Sequence, residues 1–252
     1  MAGGAPKALI FSPHPDDECI VVGLALRLLR EAKWNVINVA VTLGSKKERR
    51  VARLRELRNA CASLGFGLVV PKDGGLERIT PESREQNRAH WKAAVKIIAK
   101  ILTEQRPRAI FLPHENDWHS VHIGTHLLVL DALKMLPAGF QCYVVETEFW
   151  GPMADPNLLV ELGVDDVASL VAALACHAGE VRRNLYHVRL PAWMIDNVRR
   201  GAELVGGQGG ASPDFAFGTV YRFQRWARGR LTRVQLKRRF LPRIVNVGKY
   251  LG

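Results

Sequence analysis

The chain has 252 residues, 48% of them hydrophobic, and carries 36 Lys and Arg against 24 Asp and Glu, a formal charge of +12. That balance can bury a large core within the size range of one α/β domain and excludes a disordered or fibrous chain. No apolar run reaches the roughly 18 residues that would cross a bilayer, and four cysteines without paired spacing (Cys19, Cys61, Cys142, Cys176) exclude a disulfide scaffold. No apolar block follows Met1–Pro6, so a cytoplasmic location is expected.

Taken in order, strand-like segments fall at Lys7–Ser12, Asn35–Leu43, Gly67–Val70, Ala109–Leu112 and Gln141–Phe149. Helical patterns separate them at Asp17–Glu31, Lys46–Leu64, Arg84–Glu104 and Ser120–Leu136. Val36, Ile37, Val39, Val41 and Leu43 form a near-continuous apolar run, which suits a strand covered on both faces. This alternation predicts right-handed βαβ units in a Rossmann-like three-layer α/β sandwich with a mostly parallel sheet. The Gly206-Gly207-Gln208-Gly209-Gly210 stretch reads as a surface loop or as a flap over a pocket.

Two clusters follow strands. The first is Ser12-Pro13-His14-Pro15-Asp16-Asp17-Glu18, one imidazole and two adjacent carboxylates in a loop stiffened by two prolines. Two of those three groups can grip a divalent metal while the remaining carboxylate acts as general base; a Pro- and Asp-rich helix cap is the plainer alternative. The second is His114 to His126, a thirteen-residue window holding four of the eight histidines together with Asp117. A helix beginning near His119 would put His119 and His122 three apart on one face, with His126 second in line or simply core. Loops at the C-terminal ends of parallel strands are where ligand sites form in open α/β sheets.

His14-Pro15-Asp16-Asp17-Glu18 resembles the signature of the PIG-L/LmbE-like zinc N-deacetylases. Asp117 with His119-Ser120-Val121-His122 is similar to that family's second motif, usually His-Pro-Asp-His. Arg53, Glu56, Ala60 and Leu64-Gly65, the Asp73-Gly74 pair, and Ala173-Leu174 with His177 extend the likeness from about Lys7 to Phe223. The resemblance implies that His14, Asp17 and His122 bind Zn2+, or another divalent transition metal, and leave a place for water. It implies Asp16 as general base and His119 as oxyanion stabiliser or proton donor to the departing amine. It further implies Asp117 orienting a histidine, and Arg53 and Asp73 contacting substrate. The chemistry suits removal of an N-acetyl group from an N-acetylglucosamine-type sugar or glycoconjugate by metal-activated water, with an imidazolium at His119 meeting the developing negative charge.

The chain departs from that pattern at Ser120-Val121, at Val21-Val22-Gly23, at Gly44-Ser45 running into Lys46-Lys47, and at Gly179-Glu180 after His177. None of these removes a proposed ligand; several border the substrate pocket. From Thr219 onward there are ten Lys or Arg and no Asp or Glu. Residues 1–223 are therefore expected to form the deacetylase domain and 224–252 a basic extension. That extension could meet an anionic membrane surface peripherally, or remain solvated; nucleic acid suits it less. Two other functions stand beside the hydrolase. A Rossmann-type nucleotide-dependent transferase is weakened because the first loop lacks Gly-x-Gly-x-x-Gly. A non-catalytic sugar- or membrane-binding relative is weakened by the intact Asp16, Asp17, His119 and His122.

Overall fold

The computed structural model describes residues 4–251. Its centre is a strand with almost no exposed surface, β1 (Lys7–Ser12), hydrogen-bonded in parallel to β2 (Asn35–Ala40) on one side and β4 (Ala109–Pro113) on the other. Outward from these lie β3 (Gly67–Val69) beside β2 and β5 (Cys142–Thr147) beside β4, all parallel. The direction then reverses: β7 (Phe217–Ala227) is antiparallel to both β5 and β6 (Leu158–Leu162), and β9 (Phe240–Leu241) pairs in parallel with β6. A short β8 (Arg230–Arg233) hairpins onto the end of β7. The order is β3-β2-β1-β4-β5-β7-β6-β9, a mostly parallel sheet within an α/β sandwich.

Alternating side chains divide the core in two, as strand geometry requires. Ala8 and Ile10 face a cluster closed by α2 (Gly23–Ala32), α3 (Arg50–Leu64), α7 (Val164–Ala175) and α9 (Tyr186–Gly206). Leu9 and Phe11 face the opposite cluster, closed by α5 (Arg88–Gln105) and α6 (Ser120–Lys134). The short helices α1 (Asp17–Ile20), α4 (Pro81–Gln86), α8 (Ala178–Val181) and α10 (Val247–Tyr250) complete the set. Among the described residues no helix is long and apolar enough to cross a membrane.

Three of the expected helices are interrupted, each for a local reason. The Asp17–Glu31 helix breaks at Val21–Val22, where the buried Tyr221 hydroxyl donates to Val21 O (2.8 Å) and accepts from Leu24 N (3.0 Å). The Lys46–Leu64 helix opens with a 3₁₀ turn at Lys47–Arg49. The Arg84–Glu104 helix is two: Thr80 caps the first by accepting from Ser83 N, and Asn87 caps the second by accepting from His90 N.

The expected boundary between residues 223 and 224 falls inside β7, and the segment beyond it is woven into the sheet. Leu241, Val247 and Leu251 are buried in the main core. Arg27, only 1% exposed, donates to the carbonyls of Glu161, Leu241, Pro242 and Val245 and pairs with Glu31 at 2.6 Å. Of the ten cations from Thr219 onward, Arg222, just before the boundary, turns inward onto Glu115, Glu146 and Asp155. The Arg239 guanidinium donates to Val205 O, so the segment is partly tied down rather than freely solvated. The glycine-rich stretch at 206–210 follows α9 and lines no part of the cleft described below, so it is a surface loop and not a flap.

Removing the Arg27 guanidinium strands four carbonyls and the Glu31 carboxylate. Arg27→Ala should lower unfolding stability by about 3–5 kcal/mol in urea titrations, the cost typical of breaking a buried ion pair. A loss below about 1 kcal/mol would show that the C-terminal segment docks without it.

Candidate active site

The β1 and β4 loops emerge side by side at the point where strand order reverses direction from β1, because β1 and β4 are paired through Ala8–Ala109, Leu9–Ile110 and Ile10–Phe111. The first loop runs through His14 into α1; the second runs through Asp117 into α6. His14 N donates to Asp17 Oδ2 (2.8 Å), which folds the carboxylate back toward its own loop. His119 caps α6, and its backbone N–H donates to Asp117 Oδ1 (2.9 Å). The helix then carries His122 inward, fully buried, over the first loop.

Three donor atoms meet there. His14 Nδ1 and His122 Nε2 are 3.3 Å apart, His122 Nε2 and Asp17 Oδ2 3.4 Å, and His14 Nδ1 and Asp17 Oδ2 3.5 Å. A tetrahedral ion with bonds of about 2.0–2.1 Å keeps its ligand atoms about 3.3–3.4 Å from each other, so this near-equilateral triangle has the size of one face of such a site. The far nitrogen, His122 Nδ1, is buried with no hydrogen-bond partner and lies 3.6 Å from Asp117 Oδ2. A ring whose Nε2 is a metal ligand carries its proton at Nδ1 and presents it to that carboxylate. The donor set therefore fits a divalent transition metal.

Electrostatics agree with the geometry. Burial alone would raise Asp17, but the His122 and His14 rings hold its carboxyl below the usual range. Burial opposes a charged His122, yet Asp17 and Asp117 outweigh it and keep the ring above its ordinary value. Asp16 differs: burial, and then the Asp17 and Glu18 carboxylates, push it well above the usual carboxylate range. Its backbone sits at φ +116°, a region L-residues rarely occupy, with Asp16 N donating to Glu18 Oε2 (2.9 Å). Glu18 is in turn locked to the buried His177 Nε2 at 2.7 Å. His119 is exposed; its Nδ1 accepts from Val121 N (3.2 Å), and burial of part of the ring with the neighbouring His14 and His122 lowers its pKa. A ring accepting at Nδ1 is neutral with its proton on Nε2, so the expected imidazolium is replaced by a neutral N–H donor.

His14, Asp16, Asp17 and His119 line a cleft of about 690 Å³, within the usual size of small-molecule sites. The lining includes the 44–53 segment, the 76–80 segment, which Leu76 N holds to Val41 O (2.8 Å), and Trp150, whose ring centroid lies 5.4 Å from that of Tyr186 with the planes tilted by 56°. Arg53 lines the cleft too, but its guanidinium donates to Pro15 O (3.0 Å) and lies 3.8 Å from Glu180, so it braces the first loop. Asp73 is not brought in: it is exposed on the turn that leads into the Thr42–Gly75 bridge and is not among the residues lining the cleft. His114 bonds Gly151 O (2.7 Å) and His126 bonds Pro113 O (2.9 Å); both are structural. His119 also brings a ring nitrogen within 4.8 Å of those of His14 and His122, so it stands beside the triangle; among the described residues two further groups could hold an ion, but Glu18 and His177 satisfy each other and Arg222 fills the Glu115–Glu146 site. The sequence does not announce Trp150 and Tyr186, since single aromatics in helices and loops give no periodic or motif signal, whereas Glu180 does line the cleft as its place beside the pocket led one to expect.

Residues 9–133, about half of the chain, match the PIG-L family, described as GlcNAc-PI de-N-acetylase. A 1D-myo-inositol 2-acetamido-2-deoxy-alpha-D-glucopyranoside deacetylase from Thermomonospora curvata is 28% identical over 158 residues, 51% of this chain and 52% of that protein. A protein of the same name from Salinispora arenicola is 25% identical over 187 residues, 63% of this chain and 59% of that one. The chain thus spans about half the length of the curated relatives it matches. Among solved structures, N,N'-diacetylchitobiose deacetylase from Pyrococcus horikoshii aligns with a TM-score of 0.63 at 18% identity, covering 89% of this chain and 85% of that one. The 4-carboxy-2-hydroxymuconate hydratase GalB from Pseudomonas putida aligns with a TM-score of 0.65 at 16% identity, covering 86% and 95%. These two likenesses establish the fold, and since the second neighbour is a hydratase, the reaction has to be argued from the side chains.

The Asp16 environment has a measurable cost. A carboxyl raised in the folded state leaves the unfolded chain holding fewer protons as pH climbs above about 4, so its penalty grows with pH and vanishes below that value. In metal-free buffer Asp16→Asn should therefore be more stable than the parent at pH 7, with the two denaturation midpoints converging at pH 4. A constant gap across that range would assign the effect to something other than charge.

Proposed function

The chain belongs to the PIG-L/LmbE-like family, and on that premise we propose that it is a zinc-dependent N-deacetylase acting on an N-acetylglucosamine-type sugar or glycoconjugate. The observation that carries this reading is the triangle of His14 Nδ1, Asp17 Oδ2 and His122 Nε2, each within 3.3–3.5 Å of the other two beside an open cleft. His14, Asp17 and His122 would hold the ion; Fe, Co or Ni suit the same donors as well as Zn. A divalent ion there polarises an amide carbonyl and lowers the pKa of water from 15.7 towards about 7.

The remaining groups supply what an amide hydrolysis needs besides a Lewis acid. Asp16 takes the proton of the attacking water: its raised proton affinity brings it closer to the operating pH, where a general base works best. His119 Nε2–H donates to the oxygen as negative charge gathers on it, and a neutral donor there does not repel a neighbouring cation. The proton held by Asp16 is then available to the departing amine nitrogen. Asp117 positions both histidines at once, accepting from His119 N and facing His122 Nδ1. Arg53 keeps the Pro15 carbonyl, and with it the His14–Asp17 turn, in place. Trp150 and Tyr186 offer flat apolar faces on which a sugar ring can lie.

Two measurements separate the roles. Metal analysis after reloading with zinc should find His122→Ala without its ion, whereas Asp16→Asn and His119→Ala keep it and turn over about 10² to 10⁴ times more slowly. Free amine released from N-acetylglucosamine glycosides reports the rate. Normal turnover in Asp16→Asn would remove the base assignment, and chelation of the wild type without loss of activity would remove the metal.

A further inference from the structure

Asp16 stands in a backbone conformation that its own loop does not explain. At φ +116° and ψ −30° it lies outside the left-handed well that L-residues sometimes visit, and such a geometry persists only where the surroundings impose it. The peptide joining Pro15 to Asp16 is gripped at both ends. Its carbonyl accepts from Arg53 Nη2 (3.0 Å), and its N–H donates to Glu18 Oε2 (2.9 Å). The peptide that follows is held as well, since Asp16 O accepts from Cys19 N (2.9 Å). With the two planes that flank its Cα pinned, the direction of the Asp16 side chain is set, and it lines the cleft.

Glu18 can hold this peptide because it is itself held. It is fully buried, and its other oxygen accepts from His177 Nε2 (2.7 Å) and Cys19 Sγ (3.3 Å). Burial pushes the Cys19 thiol well above its usual range, so it stays protonated as a donor. His177 is also buried, 159 residues further along the chain, at the corner between α7 and α8. Its N–H donates to Leu174 O (3.1 Å), and its carbonyl accepts from Glu180 N (2.8 Å). The same corner serves the other grip, because the Glu180 carboxylate lies 3.8 Å from the Arg53 guanidinium. A buried acid–imidazole pair is a poor stabiliser, and apolar side chains of similar volume often do as well or better. What apolar side chains cannot do is accept the Asp16 N–H.

We propose that His177 and Glu18 are positioning residues for Asp16. His177 fixes the Glu18 carboxylate, and Glu18 fixes Asp16 in the conformation that turns its carboxyl into the cleft. Resting on the reading of Asp16 as general base, this adds a support that comes from the α7–α8 corner rather than from either of the two loops.

The zinc-loaded full chain tests it with His177→Leu, which removes the donor, and His177→Gln, whose amide N–H can reach the same oxygen. With N-acetylglucosamine glycosides, kcat should fall about tenfold to a hundredfold in His177→Leu. KM and zinc content should stay unchanged, and His177→Gln should recover most of the loss. Combined with Asp16→Asn, His177→Leu should slow turnover no further, because its effect passes through Asp16. Additive losses in the double variant, or a normal kcat in His177→Leu, overturn the inference. If His177→Leu does not fold, Glu18→Gln takes its place, with the same loss and the same lack of further cost beside Asp16→Asn, since one carbonyl oxygen then stands where two carboxylate oxygens stood.

Amide hydrogen exchange reads the same hold without activity. The Asp16 N–H should exchange about tenfold or more faster in His177→Leu, while Ile10 and Phe11 on β1 keep their protection. If the wild type releases no amine, or Asp16→Asn turns over normally, the reading of the site falls and these rates alone decide. Lost protection confined to the Asp16 turn keeps the inference, and unchanged protection overturns it.

Discussion

Everything at the site depends on the pairing of β1 with β4. Three residue pairs of parallel sheet place two loops, 108 residues apart in sequence, so that His14 and His122 come within 3.3 Å. Neither loop could hold this geometry alone: one contributes an imidazole and a carboxylate, the other a single ring delivered by a helix. The sheet order makes the meeting possible, since β1 and β4 are neighbours although β2, β3 and the helices α1 to α5 separate them in the chain. Burying carboxylates and imidazoles this closely is costly without mutual compensation, and the structure supplies it in layers. Asp17 and Asp117 flank His122, and His177 answers Glu18. Asp16 has the Arg53 guanidinium alone among the charges acting on it to offset its burial and its acidic neighbours, in a backbone conformation that adds to its cost.

Much of this was legible before any coordinates. The strands β1 to β5 and the helices between them stand out because fully buried parallel strands read as apolar runs and the helices as amphipathic ones. The candidate ligands were legible for a different reason: histidines and aspartates crowded after two such strands have few structural uses. The second half of the sheet was not, because β6 and β7 are reached through a reversal of direction that no local pattern encodes. Tyr221 shows the difficulty. Its hydroxyl breaks a helix two hundred residues earlier, and nothing near Val21 announces that. Asp73 misled for the complementary reason, since an Asp-Gly turn looks alike whether it faces a cleft or solvent.

The basic C-terminal stretch illustrates how charge counts can mislead about architecture. Ten cations without an acid from Thr219 onward read as an appendage, yet the same stretch contributes most of β7, all of β8, β9 and α10, and buried apolar side chains that include Trp226, Leu241, Val247 and Leu251. The cation at its start, Arg222, is neutralised by acids from elsewhere in the fold, and Arg27 from the opposite end of the chain closes the segment down. Burial pushes Glu146 up to about 7 even beside Arg222, a measure of how dry that interior is.

The seating of Arg49 against Gly179 and of Arg53 against Gly44 puts these two cleft-lining arginines on segments that contribute no atom to the His14–Asp17–His122 triangle. On the proposed reading, the lining of the cleft and the groups that break the bond therefore occupy separable modules. Descendants of such a scaffold can trade one leaving partner for another by altering a few loop positions, and the hydrolytic machinery need not be reinvented each time.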